Sequence, residues 1–143
     1  EPTGVVAGFA PRSPGLLGLV SVMAPIVVGG NSCVLLASPD APLSAVTFGE
    51  VLHSSDVPGG VVNLLTGRRE ELLEHFASHM DVNAFLYCGD DAEAIARAGE
   101  LAADNVKRFR VERRQDWRGD DARGPYVILD FQEVKTTWHP IGS

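Results

Sequence analysis

With 143 residues, a formal net charge of −7 and a charged fraction of 22%, the chain has the length of one domain and can bury about two-thirds of its unfolded surface. The acidic balance argues against nucleic acid or an anionic membrane as a partner, because both need a basic footprint. Two cysteines are too few for a disulfide framework or a zinc site, and Cys33 and Cys88 each sit in an apolar run, as buried reduced thiols do.

No signal peptide is visible and no apolar run reaches the ~20 residues that span a bilayer, so a cytoplasmic location is expected. The chain opens on Glu1 rather than methionine and runs almost at once into a strand-like segment. The expectation is therefore a piece of a longer polypeptide.

Gly4 to Ala10 reads as a buried strand. Ser13-Pro14 then gives an N-cap followed by proline at the first helical position. The helix it starts is apolar nearly all round, which predicts burial, and it stops at Gly29-Gly30. Ser32 to Ala37 is a second strand closed by the turn Ser38-Pro39-Asp40. Pro42 to Ser55 is an amphipathic helix, Val61 to Leu65 a third strand, and Glu70 to His79 a third helix. Ala84 to Cys88 is a fourth strand, stopped by Gly89. Asp90 and Asp91 stand where helix N-terminal acids belong, ahead of an alanine-rich helix over Ala92 to Ala103. Val106 to Glu112 is a fifth strand, and the cationic run Lys107 to Arg114 that overlaps it reads as a solvated strand or edge. Strands alternating with helices of three to four turns predict an α/β domain, a doubly wound, Rossmann-like parallel sheet with helices on both faces.

After residue 112 the character changes. Residues 113–124 form a charged, glycine-bearing connecting loop. Tyr126 to His139 alternates like a strand of about 14 residues, roughly 45 Å long at ~3.3 Å per residue, with its burial pattern changing near Gln132. A hairpin or bend near Gln132 is the alternative. A strand of that length outruns the sheet and presents an edge for another chain. Residues 125–143 are thus expected to be a C-terminal β-strand arm.

Several of these segments resemble the aldehyde dehydrogenase superfamily. Pro2 to Val6 (PTGVV), Gly30-Asn31, Pro42 to Ala45 (PLSA) and above all Pro58 to Gly67 (PGGVVNLLTG) are similar to its coenzyme-binding domain. Asn105 to Glu112 (NVKRFRVE) resembles the strand leading to its general-base glutamate, and Glu133 to Thr136 (EVKT) its C-terminal oligomerisation strand. The resemblance implies three parts: a Rossmann-like coenzyme-binding-type domain over 1–112, a loop over 113–124 standing in place of the catalytic domain, and an oligomerisation strand over 125–143. It looks like the degenerate C-terminal domain of the two-part family-16 aldehyde dehydrogenases.

The resemblance also implies where the family's chemistry would fall. Its cysteine nucleophile belongs to the absent domain, and neither Cys33, mid-strand, nor Cys88, at a position where the family has threonine, matches it. Ser13 replaces the oxyanion-donating asparagine and is better placed as a helix cap. Glu112 matches the general base, but the leucine-glycine-glycine that follows it in the family has become Arg113-Arg114-Gln115, so it reads as an exposed acid paired with a nearby arginine. Leu36 takes the place of the ribose-binding lysine and Pro39 that of the acid three residues on, with Ser38 between them. A leucine cannot hydrogen-bond a ribose. Gly67 and Gly89 keep the family's turns, yet both also serve as ordinary strand ends, and Asp90 would repel a phosphate from the helix N-terminus. All six positions, Ser13, Leu36, Ser38, Gly67, Gly89 and Glu112, therefore read as vestiges. Catalytic residues and metal ligands are not expected: His75 and His79, four apart on a helix, have no carboxylate or cysteine ligand beside them in any motif.

Two functions follow. The first is a non-catalytic scaffold and assembly module of a larger NAD-dependent aldehyde dehydrogenase. It would carry no cofactor itself and would pair through residues 126–139 with an aldehyde dehydrogenase domain or a second copy. The second is a regulatory module that retains weak NAD(P) affinity in the crevice at the sheet's C-terminal end.

Overall fold

The computed structural model describes residues 1–114 and 116–140. Gln115 of the connecting loop and positions 141–143 of the expected arm lie outside the described residues. Five strands, β1 (Val5–Phe9), β2 (Ser32–Leu36), β3 (Val62–Leu65), β4 (Ala84–Cys88) and β5 (Arg108–Glu112), alternate with helices α1 (Gly15–Val28), α2 (Pro42–His53), α3 (Arg69–Ser78) and α4 (Ala92–Ala103). All strand pairs are parallel, in the order β3-β2-β1-β4-β5. The α/β reading of the sequence thus stands, with boundaries shifted by a residue or two.

Burial follows position in the sheet. The central strands β1 and β4 are buried from Val6 to Phe9 and from Ala84 to Cys88, as continuous apolar runs covered on both faces must be. Val6, Leu35, Leu86 and Cys88 face α1, among Leu19, Val22 and Ile26. Ala7, Phe9, Phe85 and Tyr87 belong to the opposite cluster with Phe76 and Ala77 of α3 and Ala98 of α4. There Phe9 meets Phe85 edge-on at 5.3 Å, and Phe85 stacks on Phe109 at 5.6 Å, a geometry worth about 1 kcal/mol per pair beyond burial.

Four expectations are corrected. Helix α1 is not buried all round: Gly18, Leu19, Val22, Met23 and Ile26 are, but Leu16 is 45% and Val28 72% exposed. The sheet and α2 cover part of the helix and leave Leu16 and Val28 to solvent. Ser13 is not its cap either. Pro14 holds the extended N-cap conformation and no side chain caps the helix, so Ser13 stands one residue too early to reach the first free N–H groups. The third correction concerns Lys107, which is buried rather than solvated. Its Nζ donates to the carbonyls of His79 (2.7 Å) and Val82 (2.8 Å), and desolvation lowers its pKa.

The fourth is the arm. Tyr126–Leu129 forms one helical turn, α5, Gln132 makes an isolated antiparallel bridge to Pro2, and residues 133–140 carry no regular secondary structure. A strand needs a neighbour for its main-chain groups, and residues 126–130 have none. The helical turn satisfies them locally instead, through Ile128 N to Pro125 O (3.2 Å) and Phe131 N to Ile128 O (3.3 Å). Only where Glu1 to Thr3 run alongside does the segment pair: Thr3 N donates to Phe131 O (3.2 Å), Glu133 N to Glu1 O (2.7 Å) and Glu1 N to Glu133 O (3.0 Å). Phe131 itself drops into the α1 face of the core, 4% exposed.

Candidate functional site

In an open parallel sheet, ligands sit outside the C-terminal ends of the strands where the strand order reverses. Here that point lies between β1 and β4, bounded by Phe9-Ala10 on one side and Tyr87 to Gly89 on the other. Arg69, the first residue of α3, reaches across it. Its Nη2 donates to the main-chain carbonyl of Ala10 at 2.6 Å, and its guanidinium carbon lies 5.6 Å from the Phe9 ring and 5.4 Å from the Tyr87 ring. Gly89, at φ +151°, has Arg69 Nη1 and Tyr87 Cε1 each 3.1 Å from the point a Cβ would take. The guanidinium is therefore packed against the floor of the crevice and hydrogen-bonded to one wall.

The positions flagged in the sequence surround this crevice without converging on it. Leu36 is 1% exposed and belongs to the core cluster on the α3–α4 face, with its Cδ1 3.8 Å from the Cβ point of Gly67. Ser38 is buried and clamps two loops: its Oγ donates to Arg12 O at 2.6 Å and accepts from Asp40 N at 3.1 Å. Asp91, not Asp90, caps α4, accepting from Ala94 N at 3.1 Å. Ser13 is exposed.

Glu112 ends β5, and both oxygens of its half-buried carboxylate bond to Arg114. Oε1 accepts from Arg114 N at 2.7 Å and Oε2 meets Arg114 Nη2 at 3.1 Å. The Arg114 guanidinium in turn lies 5.5 Å from the centre of the Trp117 ring. Trp117 is 4% exposed and joins the α1-face core, and Ala122 of the same loop is also buried, at 7% exposed. Among the described residues, its indole N–H is one of two buried side-chain polar groups without a partner. The loop that follows β5 thus folds back and seals the C-terminal end of the α1 face.

Neither thiol has thiolate character. Burial pushes the pKa of Cys33 up to about 11, against a smaller opposing hydrogen bond, and burial followed by the Glu112 charge pushes Cys88 up to about 12. His75 and His79 are exposed, and among the described residues no three His, Cys, Asp or Glu side chains are grouped to hold a metal.

The family model of the aldehyde dehydrogenase family matches residues 1–113. This chain belongs to the aldehyde dehydrogenase family. It is 37% identical over 101 residues to a hydroxyisobutyraldehyde dehydrogenase of Mycolicibacterium austroafricanum, covering 69% of this chain and 20% of that protein. An aldehyde dehydrogenase of Agaricus bisporus is 29% identical over 135 residues, covering 94% of this chain and 26% of the relative. Among solved structures, aldehyde dehydrogenase C of Pseudomonas syringae, in complex with NAD+ and octanal, superposes with a TM-score of 0.70 at 34% identity, over 78% of this chain and 22% of that one. The chain spans about a fifth to a quarter of the relatives it matches.

In this aldehyde dehydrogenase chain Leu36, which the resemblance sets at the family's ribose-binding lysine, is an apolar side chain sealed in the core, and the space next to Gly89 holds a guanidinium. Two residues of these arrangements, Arg69 at the crevice and Trp117 beneath Arg114, have no counterpart in the reading of the sequence. Arg69 gives no signal, since an arginine beside Glu70 and Glu71 looks like a solvated helix start. Trp117 does give one: a lone large aromatic in a polar loop tends to be buried.

Proposed function

We propose that this chain is a non-catalytic, aldehyde-dehydrogenase-like module, a scaffold and assembly element of a larger NAD-dependent aldehyde dehydrogenase whose chemistry resides in another domain. The observation that carries the proposal is the pairing of Glu112 with Arg114 and the lack of a thiolate for it to serve. A general base acts on a water held beside the reacting group. Glu112 is instead held to Arg114 through both oxygens, and the Arg114 guanidinium rests on the Trp117 ring. The family's nucleophile must be a thiolate, and both thiols here are buried with raised pKa values.

Assembly is assigned to residues 126–139, toward an aldehyde dehydrogenase domain or a second copy. Glu1 to Thr3 and Phe131 to Glu133 already form a short two-stranded ribbon, and beyond it Val134 (89%) and Trp138 (85%) stand exposed. An exposed apolar pair next to unpaired main chain is suited to pairing with a further strand. No helix among the described residues is long and apolar enough to cross a membrane, and two unpaired thiols fit a reducing compartment. The cytoplasm is the proposed location.

The test is truncation after Glu133, which keeps Phe131 and the ribbon, read by sedimentation alone and with the full-length enzyme. Loss of self-association, or of activity in the parent, supports the proposal; an unchanged assembly and activity removes it. Turnover of acetaldehyde to acetate by the purified chain would remove its non-catalytic half.

A further inference from the structure

We infer that Arg69 is the residue that closes this domain's dinucleotide crevice, a side chain of the fold occupying the place of a ligand. The inference rests on the scaffold reading above and names the feature by which the site was lost.

Three contacts fix the guanidinium in place. Nη2 is held at 2.6 Å by the carbonyl of Ala10, the buried residue just past the C-terminal end of β1. The plane sits against two aromatic rings, Phe9 and Tyr87, contributed by the two strands that flank the switch point. Nη1 lies in close contact with the position above Gly89. A pyrophosphate in this type of fold lies on the strand-ending glycine and the N–H groups of the helix that follows, which here are Gly89 and the start of α4. The Arg69 fork covers that approach.

An anion-binding role for the same arginine is less consistent with the geometry. An arginine that binds phosphate offers both prongs outward for bidentate contact. Here one prong is spent on a carbonyl and one side of the guanidinium rests on the adjacent Phe9 and Tyr87 rings. Arg68, next to it, is engaged by Glu71. Asp90 is exposed at the mouth and Asp91 already satisfies the α4 N-terminus, so a second anion gains little there.

The experiment is calorimetric titration of the chain and of Arg69→Ala with NAD and with ADP-ribose, with circular dichroism to check that each is folded. Because Leu36 still offers no ribose contact and Asp90 remains, the expected affinity of Arg69→Ala is only about 1 mM, against no saturable binding by the unmodified chain. In parallel, the unmodified 15N-labelled chain is titrated with NAD while the amide signals of Gly89 and Arg69 are followed, and both are expected to stay in place. Silence of both proteins toward both ligands overturns the role of Arg69 and leaves the scaffold reading intact. Saturable shifts at Gly89 in the unmodified chain overturn both the closure and the cofactor-free half of the scaffold reading, whatever the variant does, while the truncation after Glu133 still reports on assembly.

Discussion

Asn31 Nδ2 donates to the main-chain carbonyl of Phe131 at 3.0 Å, joining the turn after α1 to a residue one hundred positions later. The same amide donates to Ile26 O at 3.1 Å, and its Oδ1 accepts from Gly4 N at 2.9 Å. One buried side chain therefore ties the end of α1, the approach to β1 and the C-terminal segment. Asn31→Ala leaves the Gly4 N–H without its acceptor, while Phe131 O keeps Thr3 N and Ile26 O keeps the main-chain N–H of residue 31. The expected loss is about 1–3 kcal/mol by urea unfolding, the cost of one buried donor left dry. Asn31→Asp, which sets a carboxylate against two carbonyl oxygens, should be worse than alanine.

Trp117 separates packing from hydrogen bonding. Its ring fills the core, while its N–H finds no acceptor. Trp117→Ala should cost about 3 kcal/mol, in the range for truncating a buried aromatic. Trp117→Phe removes the unpaired donor and keeps most of the area, so it should remain within about 1 kcal/mol of the unmodified chain. Equal losses in the two variants would mean that the N–H has a partner after all.

Val106 sits at φ +55° in the turn between α4 and β5 and is 92% exposed. A β-branched residue in the left-handed region costs roughly 1–2 kcal/mol, and this one gains little burial in return. Val106→Gly should raise stability by about 0.5–1 kcal/mol after the greater freedom of glycine in the unfolded chain is subtracted. A thermal midpoint that falls instead would show that the turn is held by the valine side chain.

The thiols set an alkaline limit. Cys88, pushed up to about 12, and Cys33, pushed up to about 11, keep their protons in the folded chain when free thiols with a pKa of 9.0 have lost theirs. Their contribution is fully present below pH 9.0 and falls by about 1.4 kcal/mol per pH unit per thiol above it, until the folded pKa is passed. The difference in unfolding free energy between the unmodified chain and Cys88→Ala should therefore shrink from pH 8 to pH 10.5. A constant difference would place the thiol in contact with water.

Elements up to Glu112 were legible because their signals are local. Short apolar runs bounded by Gly, Pro and Asp mark β1 to β4, and the fit of Ala84–Cys88 and Ala92–Ala103 to their expected limits shows how little context those segments need. The arm was misread because alternation in Tyr126 to His139 is a property of side chains, whereas a strand also needs a neighbour, and that neighbour exists only beside Pro2. Ser13 was misread as a cap because the proline after it occupies the capping residue itself. The pairing of Glu112 with an arginine was legible, since Arg114 is only two residues away, but its exposure was not: the carboxylate is half-buried beside the loop that follows β5. Arg69 was invisible because its meaning depends on Ala10, Phe9 and Tyr87, which only the sheet brings to it.

The reciprocal pair of hydrogen bonds between Glu1 and Glu133 clips the segment ahead of β1 to the segment that follows α5. Phe131 is seated in the core two residues before that clip, and Thr3 is bonded to it. Loosening the clip therefore frees both segments together, and they fray as one unit rather than one after the other.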